Sequence, residues 1–249
     1  MKDKYSPLPP ATVPALFLAA MFALNTTAIA QPPPGSLWYN GDANGANGLA
    51  NERNTVVSQA AVYDDFNVTS PLGWNVTAVF SDNLLYPPLV VTGADWEIRT
   101  GVSEGNAGAL IASGTTNSPI VTATGRCFFG SPCESMVEVT GLNVFLPMLP
   151  PGQHYWLNVT PVGNGTGRSF NTTTSGANCV GTPCGNDGNA FFNSTSFGYY
   201  FTNTSNVCPG CNDFSDGVIG TVVPEPATVA LLTCGVGALL IALRRRCAA

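Results

Sequence analysis

Residues 154–160 read His154-Tyr155-Trp156-Leu157-Asn158-Val159-Thr160. In an extended chain successive side chains point to opposite faces. His154, Trp156 and Asn158 therefore share one face, and Tyr155, Leu157 and Val159 the other. Pro150, Pro151 and Gly152 stand just before this run as turn residues. A short alternating segment rich in aromatic and β-branched side chains and bounded by such breakers is a strand. The same texture recurs in Trp74–Phe80 (WNVTAVF), Asp95–Thr100 (DWEIRT), Met136–Thr140 (MVEVT) and Asn143–Leu146 (NVFL). Further strand candidates are Thr55–Phe66, Leu89–Thr92, Ala109–Ser113, Pro119–Thr124 and Phe197–Thr202. Arg99–Ser113 has the form of a hairpin with a long Gly/Asn-rich loop. Between residues 31 and 222 no segment keeps a 3.6-residue apolar period for three turns. About eight to ten short strands with frequent turns predict an all-β fold, an antiparallel β-sandwich of jelly-roll-like type.

That sandwich is flanked by segments of different character. Lys2 and Lys4 precede the apolar run Ala15–Leu24, which is too short to span a bilayer, and Ala28 and Ala30 form a small-x-small cleavage pattern. Residues 1–30 therefore read as a secretory signal peptide. At the other end, Ala227–Leu243 carries no charge and is followed by Arg244, Arg245 and Arg246. A helix of that length is ~26 Å long, enough for a single C-terminal transmembrane helix whose arginines stay cytoplasmic. The expected organisation is a signal peptide over 1–30, the sandwich over 31–203, a linker over 204–223 and an anchor segment over 224–249. Between Gln31 and Val222 stand four arginines, no lysine and thirteen acidic residues, a formal charge of −9. Such a surface repels phosphate backbones and excludes nucleic acid as a partner.

Six cysteines in the exported part form three close pairs: Cys127 with Cys133, Cys179 with Cys184, and Cys208 with Cys211. In an exported chain this spacing points to local disulfides that staple loops, although six cysteines allow 15 connectivities. Cys-Pro-Gly-Cys looks like half a zinc ribbon, but no histidine lies near the pairs and an oxidising compartment disfavours free thiolates. Asn40–Glu52 fits the calcium-loop pattern at Asp42 and Asn44. It then has Ala46, Asn47 and Arg53 at the fifth, sixth and twelfth positions, which excludes an EF-hand. No metal or other cofactor is expected.

The chemistry of an enzyme is hard to assemble here. His154 is the only histidine, and no G-x-S-x-G elbow accompanies it. Asp95 and Glu97 share a strand face, as a glycosidase pair could, but Trp96 and Ile98 alternate with them as in a strand with its apolar side inward. Asp64 and Asp65 are adjacent and point apart on a strand. The expectation is a non-enzymatic protein. The rival is a carbohydrate-binding module in which exposed rings stack on sugars, with Trp96 and Trp156 the leading candidates and Trp38, Tyr39 and Trp74 behind them.

Pro224-Glu225-Pro226 stands directly before the apolar C-terminal segment. The two prolines fix φ and hold their neighbours extended, the form a membrane-embedded protease can grip. The order Val223-Pro224-Glu225-Pro226, apolar helix, arginine cluster closely resembles the PEP-CTERM sorting signal over residues 223–246. The resemblance implies an exosortase partner that cuts near the motif, and export to the cell surface or extracellular matrix of a Gram-negative, polysaccharide-producing bacterium. The body is also similar to a recurring PEP-CTERM exported type, in LWYNGDANGANGLANE, VYDDFNV, ADWEIRTGVSEGNAGALIASG, MLPPGQHYWLNVTPV and NDFSDGVIG. Extracellular polysaccharide is the implied environment and a candidate ligand.

Overall fold

The computed structural model describes residues 32–128 and 132–225. They form fourteen strands and one short helix: β1 (Ser36–Tyr39), β2 (Ala43–Ala50), β3 (Glu52–Asn54), β4 (Ser58–Phe66), β5 (Trp74–Tyr86), β6 (Val90–Thr100), β7 (Ala109–Thr116), β8 (Ile120–Cys127), β9 (Cys133–Leu146), β10 (Tyr155–Asn164), β11 (Arg168–Thr174), β12 (Phe191–Ser194), β13 (Tyr199–Asn203), α1 (Thr204–Val207) and β14 (Asp216–Val222). The expected all-β class stands. The strands lie in two seven-stranded sheets, antiparallel throughout except for one β3–β10 contact.

The first sheet is built on β5, whose 13 residues are long enough to hold several partners. β9 pairs along one edge and leads on to β8. The other edge is shared, β14 taking Trp74–Ser81 and β11 taking Asn83–Tyr86, with β1 and β2 outside them. The second sheet runs β13-β12-β4-β3-β10-β6-β7. Trp74, Val76, Val79, Val137, Val139 and Val218 of the first sheet meet Phe66, Ala94, Ile98, Tyr155, Leu157 and Val159 of the second in one apolar cluster. At its centre Phe66 has ring centroids 5.4 Å from Trp38, 6.1 Å from Trp74 and 5.5 Å from Tyr155, all stacked. The face of β10 carrying Tyr155, Leu157 and Val159 is thus the core face, as alternation requires.

A bulge in β5 shapes this interior. Two residues there oppose one on β14 between Val76 and Ala78, and an extra residue shifts the side-chain phase. Trp74 and Val76 face inward before the bulge, and Val79, Ser81 and Asn83 after it. The interior therefore changes along β5 from aromatic to polar, and Ser81 Oγ donates to the Val159 carbonyl at 2.8 Å.

The segment 204–223, expected as a linker, is instead part of the fold. Cys211 and Phe214 are completely buried, and β14 lies between β1 and β5 in the first sheet. Its sequence, Asp-Gly-Val-Ile-Gly-Thr-Val, carries β-branched residues broken by two glycines, and pairing with the distant β1 and β5 completes it as a strand. Gly217 is required for that passage: a Cβ there would sit 2.2 Å from Phe80 Cζ. Among the described residues no helix is long and apolar enough to cross a membrane.

Candidate functional site

The three expected cysteine pairs are disulfide-bonded: Cys127–Cys133, Cys179–Cys184 and Cys208–Cys211. Pro224 and Glu225 are exposed in an irregular segment just beyond β14. Ala28, Ala30, Pro226, Arg244, Arg245, Arg246, the signal peptide and the apolar C-terminal segment lie outside the described residues.

Trp96 and Trp156 do not offer rings to a sugar. They are 7% and 5% exposed. Trp96 packs in the inter-sheet core, and Trp156 in a second cluster with Tyr63, Val102, Phe191 and Phe201. Trp38, Tyr39 and Trp74 are buried as well. Alternation puts Trp156 on the face of β10 away from the main core. That face is nevertheless covered, because Phe191 of β12 meets the Trp156 ring edge-on at 6.2 Å. A local pattern reports which side a residue takes, but not whether a later strand packs over that side.

His154 Nδ1 contacts the carboxylate of Asp65, the arrangement that orients a catalytic base. Among the described residues no serine or cysteine hydrogen-bonds to the ring. Asp95 and Glu97 are held by cations, Asp95 by Arg53 and Glu97 by Arg99 at 2.6 Å. Tyr63 also donates to Glu97 at 2.9 Å. Trp96 and Ile98 are buried beneath them, as the alternation required.

Sequence reasoning did not foresee how many carboxylates are buried. Glu52, Asp64, Asp65, Asp82, Glu134, Asp213 and Asp216 are all nearly inaccessible. Asp64 and Asp65 point apart, as expected for neighbours on β4. Asp64 accepts from Asn40 Nδ2 at 2.9 Å and from the Phe214 amide at 2.7 Å, tying β4 to the chain entering β14. Asp213 accepts the Gly188 and Asn189 amides at 2.8 and 3.2 Å, which pins the 185–189 loop. Asp216 is held by Asn171 Nδ2 at 2.9 Å. On β5, Asp82 joins Asp42 and Glu134 around Arg126, at 2.7, 2.9 and 2.5 Å. Burial pushes the carboxyl of Asp65 up to about 8, that of Asp82 to about 7 and that of Asp213 to about 6. Burial, followed by neighbouring carboxylates, also drives Asp64 well above the usual range; burial does so for Asp216. These groups cross-link strands by hydrogen bonds. Among the described residues no group of three or more His, Cys, Asp or Glu is arranged to hold a metal ion.

A smaller open concavity is lined by Arg53, Tyr63, Asp95 and Glu97, and a larger one lies on the other sheet. The face of β5 that carries Asp82 continues to Leu84 and Tyr86, and opposite them in register stand Phe170 and Arg168 of β11. Beside this pair runs the glycine-rich start of β2, and Phe128 closes the end. The resulting open cleft has a volume of about 490 Å³ and is lined by Asn47, Tyr86, Phe128, Thr166, Arg168 and Phe170 among others. Tyr86 and Phe170 pack edge-to-face at 5.5 Å, and the Arg168 guanidinium lies over Phe170 at 5.0 Å. Buried Glu52 accepts from Arg168 Nε at 2.6 Å and orients it. Gly45 is a structural necessity at this place. Its φ is +71°, and a Cβ would fall 2.7 Å from Phe128 Cδ1. The one sequence signal for the cleft was the run NGDANGANG, in which repeated glycines mark close approach of other groups to a strand. No protein-family model, curated protein or solved structure matches this chain.

Proposed function

We propose that this is a non-enzymatic exported protein of the bacterial surface or extracellular matrix, sorted and processed by an exosortase through its C-terminal tail. The observation that carries this reading is the ordered sequence Val223-Pro224-Glu225-Pro226, uncharged Ala227–Leu243 and Arg244-Arg245-Arg246. A signal peptide with cleavage after Ala30 and three disulfides suit the same route, since disulfides persist in oxidising compartments. Pro224 and Glu225 emerge exposed beyond the last strand, where a protease could reach extended backbone without unfolding the sandwich. Before processing, the apolar tail would hold the protein at the inner membrane. Its histidine, bonded to a carboxylate and among the described residues to no serine or cysteine, and its arginine-paired Asp95 and Glu97 favour a structural or binding role over catalysis.

The test is the intact mass and location of the mature protein in its host, with and without Pro224-Glu225-Pro226 replaced by alanines. Loss of the tail and departure from the inner membrane in the wild type, both abolished in the variant, support sorting. Full-length, membrane-held protein in both cases refutes it.

A second reading, a polysaccharide-binding module of jelly-roll-like architecture, is favoured by the aromatic-walled cleft. It replaces the buried tryptophans with a different set of rings and is compatible with a matrix location.

A further inference from the structure

We propose that the cleft between β2 and the β5–β11 pair is a binding subsite for an uncharged sugar chain, with Phe128 and Tyr86 as its stacking surfaces and Asn47, Thr166 and Arg168 as its hydrogen-bonding rim. This rests on the polysaccharide-binding reading and gives it a place and a ligand class.

The size and lining suit such a ligand. Small-molecule sites span roughly 300–1,000 Å³ and combine apolar walls with a few placed polar groups; this cleft has about 490 Å³. A pyranose offers C–H groups on its faces and hydroxyls around its edge. It matches aromatic walls bordered by an amide, a hydroxyl and a guanidinium better than it matches a purely apolar groove. The polar rim is also held in place. Asn47 Nδ2 donates to the Pro209 carbonyl at 3.4 Å, next to the Cys208–Cys211 bridge. Arg168 uses Nε on Glu52, and its Nη groups make no hydrogen bond among the described residues. They remain available as donors.

Phe128 follows Cys127 and so adjoins the Cys127–Cys133 disulfide, and its ring lies against the bare backbone of Gly45. Removing a side chain from a strand weakens the strand, so a glycine kept under an aromatic ring gains a position for that ring. The bridge holds the ring's attachment point.

Charge selects the class of glycan. Arg168 is the only basic residue of the lining, and Glu52 neutralises it. The surrounding 192 residues carry a formal −9. A polyanion would meet repulsion with no compensating cation, whereas an uncharged chain would not. Among the described residues the lining contains no carboxylate, whereas glycoside hydrolysis ordinarily uses a pair, which favours holding a ligand over cleaving it.

The experiment uses the full-length chain, disulfides intact, in mild detergent. Electrophoretic retardation is measured in native gels containing laminarin, hydroxyethylcellulose, dextran or galactomannan, and in gels containing alginate as the anionic arm. Phe128→Ala, Phe128→Tyr and Asn47→Ala are compared with wild type, with thermal unfolding as the control for folding. The expected result is retardation by at least one neutral glycan and none by alginate. Phe128→Ala should weaken it at least tenfold, Asn47→Ala severalfold, and Phe128→Tyr should keep it. If Phe128→Ala fails to fold, Asn47→Ala decides. Wild-type retardation unaffected by either folded alanine variant overturns the cleft assignment while leaving the polysaccharide reading intact. Retardation by alginate alone overturns the choice of an uncharged ligand. No retardation in any gel overturns both the subsite and the polysaccharide reading on which it rests.

Discussion

Replacing Arg126 by Met should destabilise the domain by about 3–5 kcal/mol at neutral pH, the usual cost of removing one partner from a buried ion cluster. Arg126 touches Asp42, Asp82 and Glu134 at 2.5–2.9 Å, and the side chains of Asp82 and Glu134 are only 3% and 0% exposed. Methionine fills part of the space but leaves those carboxylates without a cation. Two hydroxyls still bond Glu134, Thr172 at 2.6 Å and Thr124 at 2.8 Å, but hydroxyl dipoles do not offset a buried charge. Single domains are stable by about 5–15 kcal/mol in total, so the loss would be a large share. The sign of its pH dependence follows from linkage. Without the guanidinium the folded-state Asp82 carboxyl holds its proton more tightly, whereas its unfolded-state value stays near the model-peptide range. The variant therefore recovers stability on acidification, and its deficit relative to wild type shrinks between pH 8 and pH 5. Urea unfolding at both pH values, with disulfides oxidised and slopes compared, measures this. A deficit below about 1 kcal/mol at pH 8, or one unchanged at pH 5, would refute the view that Arg126 compensates buried charge.

Other expectations follow from the same interior. The raised carboxyls of Asp65, Asp82, Asp213, Asp64 and Asp216 hold protons in the folded state that the unfolded chain has already released above about pH 4. Wild-type stability should then fall as pH rises from about 4 through 8, seen as a declining thermal midpoint; a midpoint that climbs over this range contradicts the assignment. Asp216→Asn keeps an acceptor for Asn171 Nδ2 and should flatten that profile while costing less than about 1 kcal/mol at pH 7. Phe66→Ala removes the ring at the centre of three stacked contacts and should cost about 3–5 kcal/mol in chemical denaturation. Replacing both Cys127 and Cys133 by Ser opens a loop of sequence separation 6, for which chain entropy gives about 2 kcal/mol; calorimetry of the double variant checks it.

Much of the fold was legible because strand alternation is a local property. The runs around Trp74, Asp95, Met136 and Tyr155 became β5, β6, β9 and β10 because each carries enough alternation to be read locally, although a bulge shifts the phase of β5 after Val76. The weaker strands escaped notice. β2 is glycine-rich with little intrinsic preference of its own, β14 has its β-branched residues interrupted by two glycines, and β11 is Asn/Thr-rich. They form because neighbours in space supply the missing pairing. β14 is the clearest case, since residues 135 or more positions away in β5 pair with it.

The amino-acid sequence by itself determined the all-β class, the close spacing of the cysteine pairs, the strongly acidic composition of residues 31–222 and the succession of motifs on which the sorting proposal rests. Each depends on spacing or composition within a few residues. The tertiary structure alone decided that both faces of β10 are covered, that Trp96 and Trp156 are buried, and that seven carboxylates lie inside. It also decided that Tyr86, Phe128 and Phe170 come together to line an open cleft. Burial depends on what distant segments lay over a face, and no local pattern carries that information. The phase shift at the β5 bulge and the insertion of β14 beside it are set by pairing between strands far apart in the chain, and together they turn part of the interior from aromatic to polar.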